Sequence, residues 1–184
     1  MAGSDKARGS EDAPRPLVPR SRAARGALGG RGIEIAVPGR RTLALGHAVF
    51  DFNGTLAVEG RLLPGVARRL ERLATRLPVT VFTADTYGTA RRALRGLPVT
   101  IHQIERGTDK AAFVARWRRA GVVAVGNGQN DVGMLREAAL AIVILGEEGL
   151  SPKALAASDV MAPSPVAAID LLLDPRRLSA TLRR

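Results

Sequence analysis

His47-Ala48-Val49-Phe50-Asp51-Phe52-Asn53-Gly54-Thr55 is a mostly apolar run that ends on a carboxylate and passes at once into a turn. A short apolar run bounded by turn formers has the pattern of a strand covered on both faces. Residues 47–50 therefore predict a central strand with Asp51 at its carboxyl end. Upstream, residues 32–37 alternate with period two, Pro38-Gly39 marks a turn and residues 41–45 resume the alternation, which predicts an N-terminal β-hairpin. Downstream, Pro64 opens a predicted helix to about residue 77, with Val66, Leu70, Leu73 and Leu77 on one face. Predicted strands then follow at residues 79–82, 98–101, 122–125, 140–145 and 159–161. Between and after them lie predicted helices at 86–95, 110–120, 130–138 (capped by Asn130), 152–157 and 165–173, and a basic segment closes the chain. Regular alternation of strand and helix predicts an α/β domain whose sheet is mainly parallel, with right-handed crossovers.

Composition narrows the function classes. The chain has 184 residues, enough for one full domain. The 46% hydrophobic content supplies a core, and with only 3% aromatics that core is built from Ala, Val, Leu and Ile. The absence of cysteine excludes disulfides, thiolate metal sites and a cysteine nucleophile. No apolar run approaches the roughly 20 residues that span a bilayer, and no signal-peptide core opens the chain, so the expectation is a cytoplasmic protein without a membrane partner. Residues 1–32, rich in Arg, Ala, Gly, Ser and Pro, predict a disordered basic tail, with the glycine cluster at 26–32 as a hinge; residues 33–184 form the predicted domain. The net charge of +11 raises nucleic acid as a partner. The arginines are nevertheless dispersed over several predicted helices, with no aromatic residues interleaved for base stacking, so they read as solvated helix faces and nucleic acid is not expected.

In open α/β sheets ligands gather at the carboxyl ends of the strands. Three predicted strands end on polar residues there: Asp51, Thr83, and Gly126-Asn127. A strand-end carboxylate followed by Gly54-Thr55 is positioned to have backbone N–H groups around a bound anion, and Asp can act as a nucleophile toward phosphoryl groups. Asn-Gly also marks ordinary turns. Thr83 offers a hydroxyl to a phosphate oxygen, with Asp85 free to cap the next helix; a plain strand end with a cap reads equally from those residues. Lys110, one of three lysines in an Arg-dominated chain, can neutralise carboxylate and phosphate from one point, or sit exposed on its helix. Gly126-Asn127-Gly128-Gln129-Asn130-Asp131 gathers oxygen donors and two glycines in a tight turn, suited to part of a Mg²⁺ site.

The order D-x-x-G-T, a strand-terminal Thr in T-x-D, a Lys, then G-x-G-x-N-D resembles the haloacid dehalogenase superfamily over about residues 33–178. It is most similar to the phosphorylation domain of P-type ATPases and its small soluble relatives. The resemblance implies a Rossmann-like three-layer sandwich, a Mg²⁺ cofactor and a phosphorylated substrate. It implies catalysis by Asp51, Asn53, Thr83 and Lys110, with phosphate held by Gly54, Thr83, Ala84 and Lys110. Metal ligation falls to Asp51, the backbone carbonyl of Asn53, Asn127 and Asp131.

Two positions depart from the family pattern. Asn53 stands where many of its phosphatases carry the Asp that serves as general acid and then base; loss of such a group costs on the order of 10²–10⁴-fold in rate. Asn127 stands where a metal-binding Asp is usual. The expectation is a slow Mg²⁺-dependent phosphatase working through an Asp51 phosphoenzyme, with a catalytically weakened phosphate- or partner-binding module as the alternative. Only 31 residues separate Asp51 from Thr83, too few for a cap or a pump's nucleotide-binding insertion. An uncapped site leaves room for a bulky substrate, or for a neighbouring subunit of a homo-oligomer acting as lid.

Overall fold

The computed structural model describes residues 31–85, 88–105 and 107–183. Residues 1–30 of the tail, with most of the glycine cluster, and Thr86 at the start of a predicted helix lie outside the described residues. The chain enters through a hairpin, β1 (Ile33–Ile35) paired antiparallel with β2 (Leu43–Leu45). It continues into β3 (His47–Asp51), which is buried along its whole length. Two very short strands follow, β4 (Ala57–Val58) and β5 (Arg61–Leu62), then helix α1 (Val66–Ala74). The strands β6 (Val79–Thr83), β7 (Thr100–Gln103), β8 (Val122–Gly126), β9 (Leu140–Ile144) and β10 (Val160–Ala162) complete the set. They alternate with α2 (Thr89–Ala93), α3 (Gly107–Trp117), α4 (Val132–Glu137), α5 (Pro152–Ala156), α6 (Pro165–Leu173) and α7 (Pro175–Leu182).

Six strands form one sheet in the order β10-β9-β8-β3-β6-β7, and every neighbouring pair is parallel. Strand β3 lies between β6 and β8, so Asp51 ends the strand around which the sheet is built. Side chains divide by the two-residue period of a strand. Phe50, Val81, Val125 and Ile142 pack on one face with Leu70, Leu73, Ile169 and Leu172 of α1 and α6. Val49, Phe82, Ala124 and Val143 pack on the other with Val114, Met134 and Leu135 of α3 and α4. The result is the expected three-layer α/β sandwich with its N-terminal hairpin. Between Asp51 and Thr83 the chain holds only the β4–β5 hairpin and α1, so no cap is inserted there.

Three local expectations are corrected. The β4–β5 hairpin is absent from the sequence reading because two-residue strands show no periodicity. Its turn uses Glu59 and Gly60, both at positive φ (50° and 76°), the geometry of a primed hairpin turn without the usual Asn-Gly signal. The closing basic segment is the helix α7: Pro175 starts it, Leu178 and Leu182 face the core, and Arg176 and Arg177 turn back to Asp174. Asn130 does not cap α4. It lies inside a 3₁₀ turn, Gln129–Asp131, that precedes the helix, and the Asp131 carboxylate accepts the Gly128 N–H instead. The arginine faces are partly structural: Arg69 pairs with Asp170 at 2.9 Å, and Arg76 donates to the Leu173 carbonyl, which together tie α1 to α6.

At the opposite end of β3, His47 is buried and its Nε2 lies 2.9 Å from Thr80 Oγ1 on β6. Burial lowers its pKa from 6.5 to about 4, so the folded protein holds the neutral ring where the unfolded chain would already be protonated. Its contribution to stability is complete above pH 6.5 and is lost as pH falls toward 4, at most about 3 kcal/mol. Denaturant titrations at pH 7.5 and pH 4.5 should show the wild type losing about 2–3 kcal/mol more than His47→Gln, which retains a polar group for Thr80 but does not titrate.

Candidate active site

The carboxyl ends of β3, β6 and β8 bring Asp51, Thr83 and Asn127 to one edge of the sheet. The centre of this edge is an ammonium group. Lys110, in the first turn of α3, is fully buried, and its Nζ donates at 2.6 Å to Asp51 Oδ1 and at 2.6 Å to Asp131 Oδ1. Helix α3 lies against the 3₁₀ turn that carries Asp131 and against α4, which aims the lysine inward rather than to solvent. The exposed-helix alternative for Lys110 is therefore excluded.

Asp131 is fully buried, and both of its oxygens are engaged. Oδ1 receives Lys110, while Oδ2 accepts the N–H groups of Asn127 at 3.0 Å and Gly128 at 2.9 Å. The carboxylate therefore folds the β8 loop around itself. Gly126 is required for this approach, since a Cβ there would lie 2.5 Å from Asp131 Oδ2. Asn127 is buried beside it: its Oδ1 accepts from the Thr55 hydroxyl at 3.2 Å, and its Nδ2 donates to the Gly149 carbonyl at 3.1 Å. One amide thus ties the Asp51 loop to the β8 loop and to the loop after β9.

Burial and the neighbouring charges together set the titration of Asp51. Burial, followed by the neighbouring Asp131 carboxylate, pushes its pKa up to about 7 against the pull of Lys110. Burial works against the Lys110 ammonium as well, but its two carboxylate partners prevail and raise its pKa. Two carboxylates share one cation, so the buried cluster lacks one positive charge when both are ionised.

The remaining expected residues lie around this cluster. Thr83 is buried, and its Oγ1 accepts the Asp85 N–H at 3.1 Å, which leaves its own O–H to donate. Asp85 caps α2 as expected, accepting from the Thr89 N–H at 2.8 Å, the Thr89 hydroxyl at 2.9 Å and the Ala90 N–H at 3.0 Å. Ala84 is exposed between Thr83 and Asp85. Asn53 is exposed and does not reach the lysine; its Oδ1 accepts the Gly60 N–H at 3.2 Å. The expectation of open N–H groups at Gly54 and Thr55 is corrected. Gly54 N–H donates to Ala57 O at 2.8 Å and Thr55 N–H to Phe52 O at 3.4 Å, so both groups close the turn. Gly54 serves by shape: its φ is 75°, and a Cβ would lie 2.7 Å from Asn127 Nδ2 and 2.8 Å from Glu148 Oε2.

Two contacts at the site have no signal in the sequence. Thr55 reads there as the end of the D-x-x-G-T turn, but nothing local marks its complete burial or its bond across 72 positions to Asn127. Glu148 reaches Gly54 from the loop after β9, a proximity that no local pattern marks.

No family model matches the sequence. An uncharacterized protein of Methanocaldococcus jannaschii is 42% identical over 62 residues, which are 34% of this chain and 67% of that protein. Among solved structures, the 3-deoxy-D-manno-octulosonate 8-phosphate phosphatase of Moraxella catarrhalis, in complex with magnesium, phosphate and KDO, aligns with a TM-score of 0.60. The alignment covers 71% of this chain and 86% of that one at 16% identity. The chain belongs to the family of the archaeal protein, and its fold is the haloacid dehalogenase fold. The cobalt-bound deoxy-D-mannose-octulosonate 8-phosphate phosphatase of Haemophilus influenzae agrees, at TM-score 0.59 and 12% identity over 74% of this chain and 88% of that one. A zinc-transporting PIB-type ATPase shares the fold at TM-score 0.55 and 20% identity, over 65% of this chain but only 20% of the pump. Among the described residues, no helix is long and apolar enough to cross a membrane.

If Lys110 neutralises the cluster, its removal leaves buried carboxylates unpaired, a defect that costs about 3–5 kcal/mol. Lys110→Met should therefore lose about that much stability at pH 8 by denaturant titration, with a smaller loss at pH 5, where a carboxyl can protonate. An equal loss at both pH values would mean that lost packing, not charge, is responsible.

Proposed function

We propose that this haloacid dehalogenase-fold protein is a phosphatase in which Asp51 is the nucleophile and turnover is slow. The observation that carries the reading is Lys110 held at 2.6 Å from both Asp51 and Asp131 at the carboxyl edge of the sheet. The cluster fixes one oxygen of Asp51 and leaves the other for attack. In the first half-reaction an Asp51 oxygen bonds to the phosphorus of a phosphate monoester as the bond from phosphorus to the leaving oxygen breaks. That oxygen takes its proton from solvent, because Asn53 carries no acidic proton. In the second half-reaction water attacks the aspartyl-phosphate at phosphorus, the bond to Asp51 breaks, and inorganic phosphate and a proton are released. Lys110 and the Thr83 hydroxyl neutralise and hold the phosphoryl oxygens, with Gly54 and Ala84 bordering the site.

The donor set fits a divalent cation. Among the described residues, no group of three or more His, Cys, Asp or Glu side chains is placed to hold a metal, so the ion's ligands would be mixed oxygens. Mg²⁺ is commonly bound by one or two carboxylates together with waters and substrate phosphate. Asp51, the Asn53 carbonyl and the Asn127 amide oxygen would hold it. Asp131, with both oxygens engaged, would fix Lys110 and the β8 loop and join the ion only by releasing one of them. A bound Mg²⁺ supplies the missing positive charge, which favours ionised Asp51 and admits a dianionic phosphate. With Asn127 in place of an Asp, the site has one negative charge fewer, and the ion is held weakly. A cytoplasmic location, a phosphorylated substrate admitted by the uncapped site and a homo-oligomeric state complete the proposal.

Hydrolysis of para-nitrophenyl phosphate with millimolar Mg²⁺ tests the reading. Weak wild-type turnover should vanish in Asp51→Asn and fall in the presence of a chelator. Asn53→Asp, which supplies a general acid, should raise turnover by about 10²-fold if its carboxyl reaches the leaving oxygen. Activity that survives Asp51→Asn would remove Asp51 as nucleophile. Phosphate binding without any turnover would favour the binding-module alternative, to which Asn53 and Asn127 both point.

A further inference from the structure

A cleft of about 500 Å³ opens between the β4–β5 hairpin and α2, lined by Glu59, Gly60, Arg61, Leu62, Thr89 and Arg92, with Ala93 behind them. Its two walls meet at the hairpin tip, where a Cβ on Gly60 would lie 3.1 Å from the Thr89 Cβ. Each wall is also bonded to the reaction centre. On the hairpin side, the Gly60 N–H donates to Asn53 Oδ1, two residues from Asp51. On the helix side, Thr89 donates to Asp85, whose N–H in turn donates to Thr83. The cleft is thus attached to the two residues that flank a phosphate at Asp51, and it lies beside the site rather than remote from it.

The lining has a definite chemistry. Arg61 and Arg92 line it together with one acidic residue, Glu59, while Leu62 and Ala93 give it an apolar side. Guanidinium groups hold phosphate and carboxylate by paired, charge-assisted hydrogen bonds. A hydroxyl from Thr89 adds a polar contact of the kind a sugar or polyol carries. Such a lining suits a small organic body that bears a second anion.

Resting on the phosphatase reading above, we infer that this cleft is the leaving-group subsite, and that the substrate is a phosphorylated small metabolite with a second anionic group, phosphate or carboxylate, held by Arg61 and Arg92. The hairpin and α2 thereby perform the discrimination that a cap would otherwise supply. Glu59 sets a limit on anion affinity, because its carboxylate opposes the same group the arginines attract.

Binding to the full-length Asp51→Asn protein, which cannot turn substrate over, tests this by calorimetry with fructose bisphosphate, fructose monophosphate and inorganic phosphate. The bisphosphate should bind about tenfold more tightly than the monophosphate. Adding Arg61→Ala and Arg92→Ala, both on exposed side chains, should abolish that preference and leave inorganic phosphate unaffected. Adding Glu59→Gln should strengthen bisphosphate binding a few-fold. Equal binding of the two sugars overturns the inference, as does an arginine double variant that weakens inorganic phosphate as much as bisphosphate. If the preference exists and is lost with the arginines while no aryl phosphate is hydrolysed by the wild type, the phosphatase reading fails and the anion subsite stands.

Discussion

A buried ammonium between two buried carboxylates sets the terms for the rest of this molecule. Lys110 has no exposed surface, and neither does Asp131, so water does little to screen the interaction. Such a cluster costs desolvation energy for each of its members, which is offset only by close contact and by hydrogen bonds to most of its oxygens and protons. Much of the local architecture follows from that requirement. The β8 loop turns its N–H groups onto Asp131, Gly126 stays bare so that the carboxylate can approach, and α3 begins where its first turn can deliver the lysine. With both carboxylates ionised the cluster keeps one negative charge in excess, a place that a proton can fill.

Around this fixed centre the loops are cross-linked by neutral groups. Asn127 joins three of them through one amide, with Thr55 on one side and the Gly149 carbonyl on the other. An aspartate at position 127 could accept the Thr55 hydroxyl but could not donate to Gly149. The Asn that stands where the family pattern has a metal-binding Asp therefore holds the rim of the site together. Asn53 behaves similarly: its amide oxygen secures the hairpin turn at Gly60, so a residue poor in acid–base chemistry serves the geometry of the cleft. Both departures from the family pattern are used structurally, and both lower the expected rate.

The sequence carried most of the architecture because its signals were local and repeated. An apolar strand ending on Asp51, Pro at the first positions of α5 and α6, and regular strand–helix alternation each follow from short-range rules, and the parallel sheet follows from their succession. What it did not carry were features whose determinants are too short or too mixed. Strands of two residues have no period. Glu59 at positive φ breaks the usual turn preference, and the arginines of α7 conceal an apolar stripe formed by Leu178 and Leu182.

By itself the sequence placed Asp51, Thr83 and Asn127 at one sheet edge, because strand ends fix where polar residues emerge, and Lys110 and Asp131 joined them only through the resemblance of the motifs. Only the tertiary structure decided what each of them does there. It placed Lys110 between two carboxylates rather than in solvent, assigned both oxygens of Asp131 to partners, and closed the Gly54 and Thr55 N–H groups into their own turn. It also paired the β4–β5 hairpin with α2 to make a cleft with Arg61 and Arg92 on its walls. These are contacts between residues distant in the chain. Their energies depend on burial and on which partners the fold brings within reach, and no local pattern encodes either.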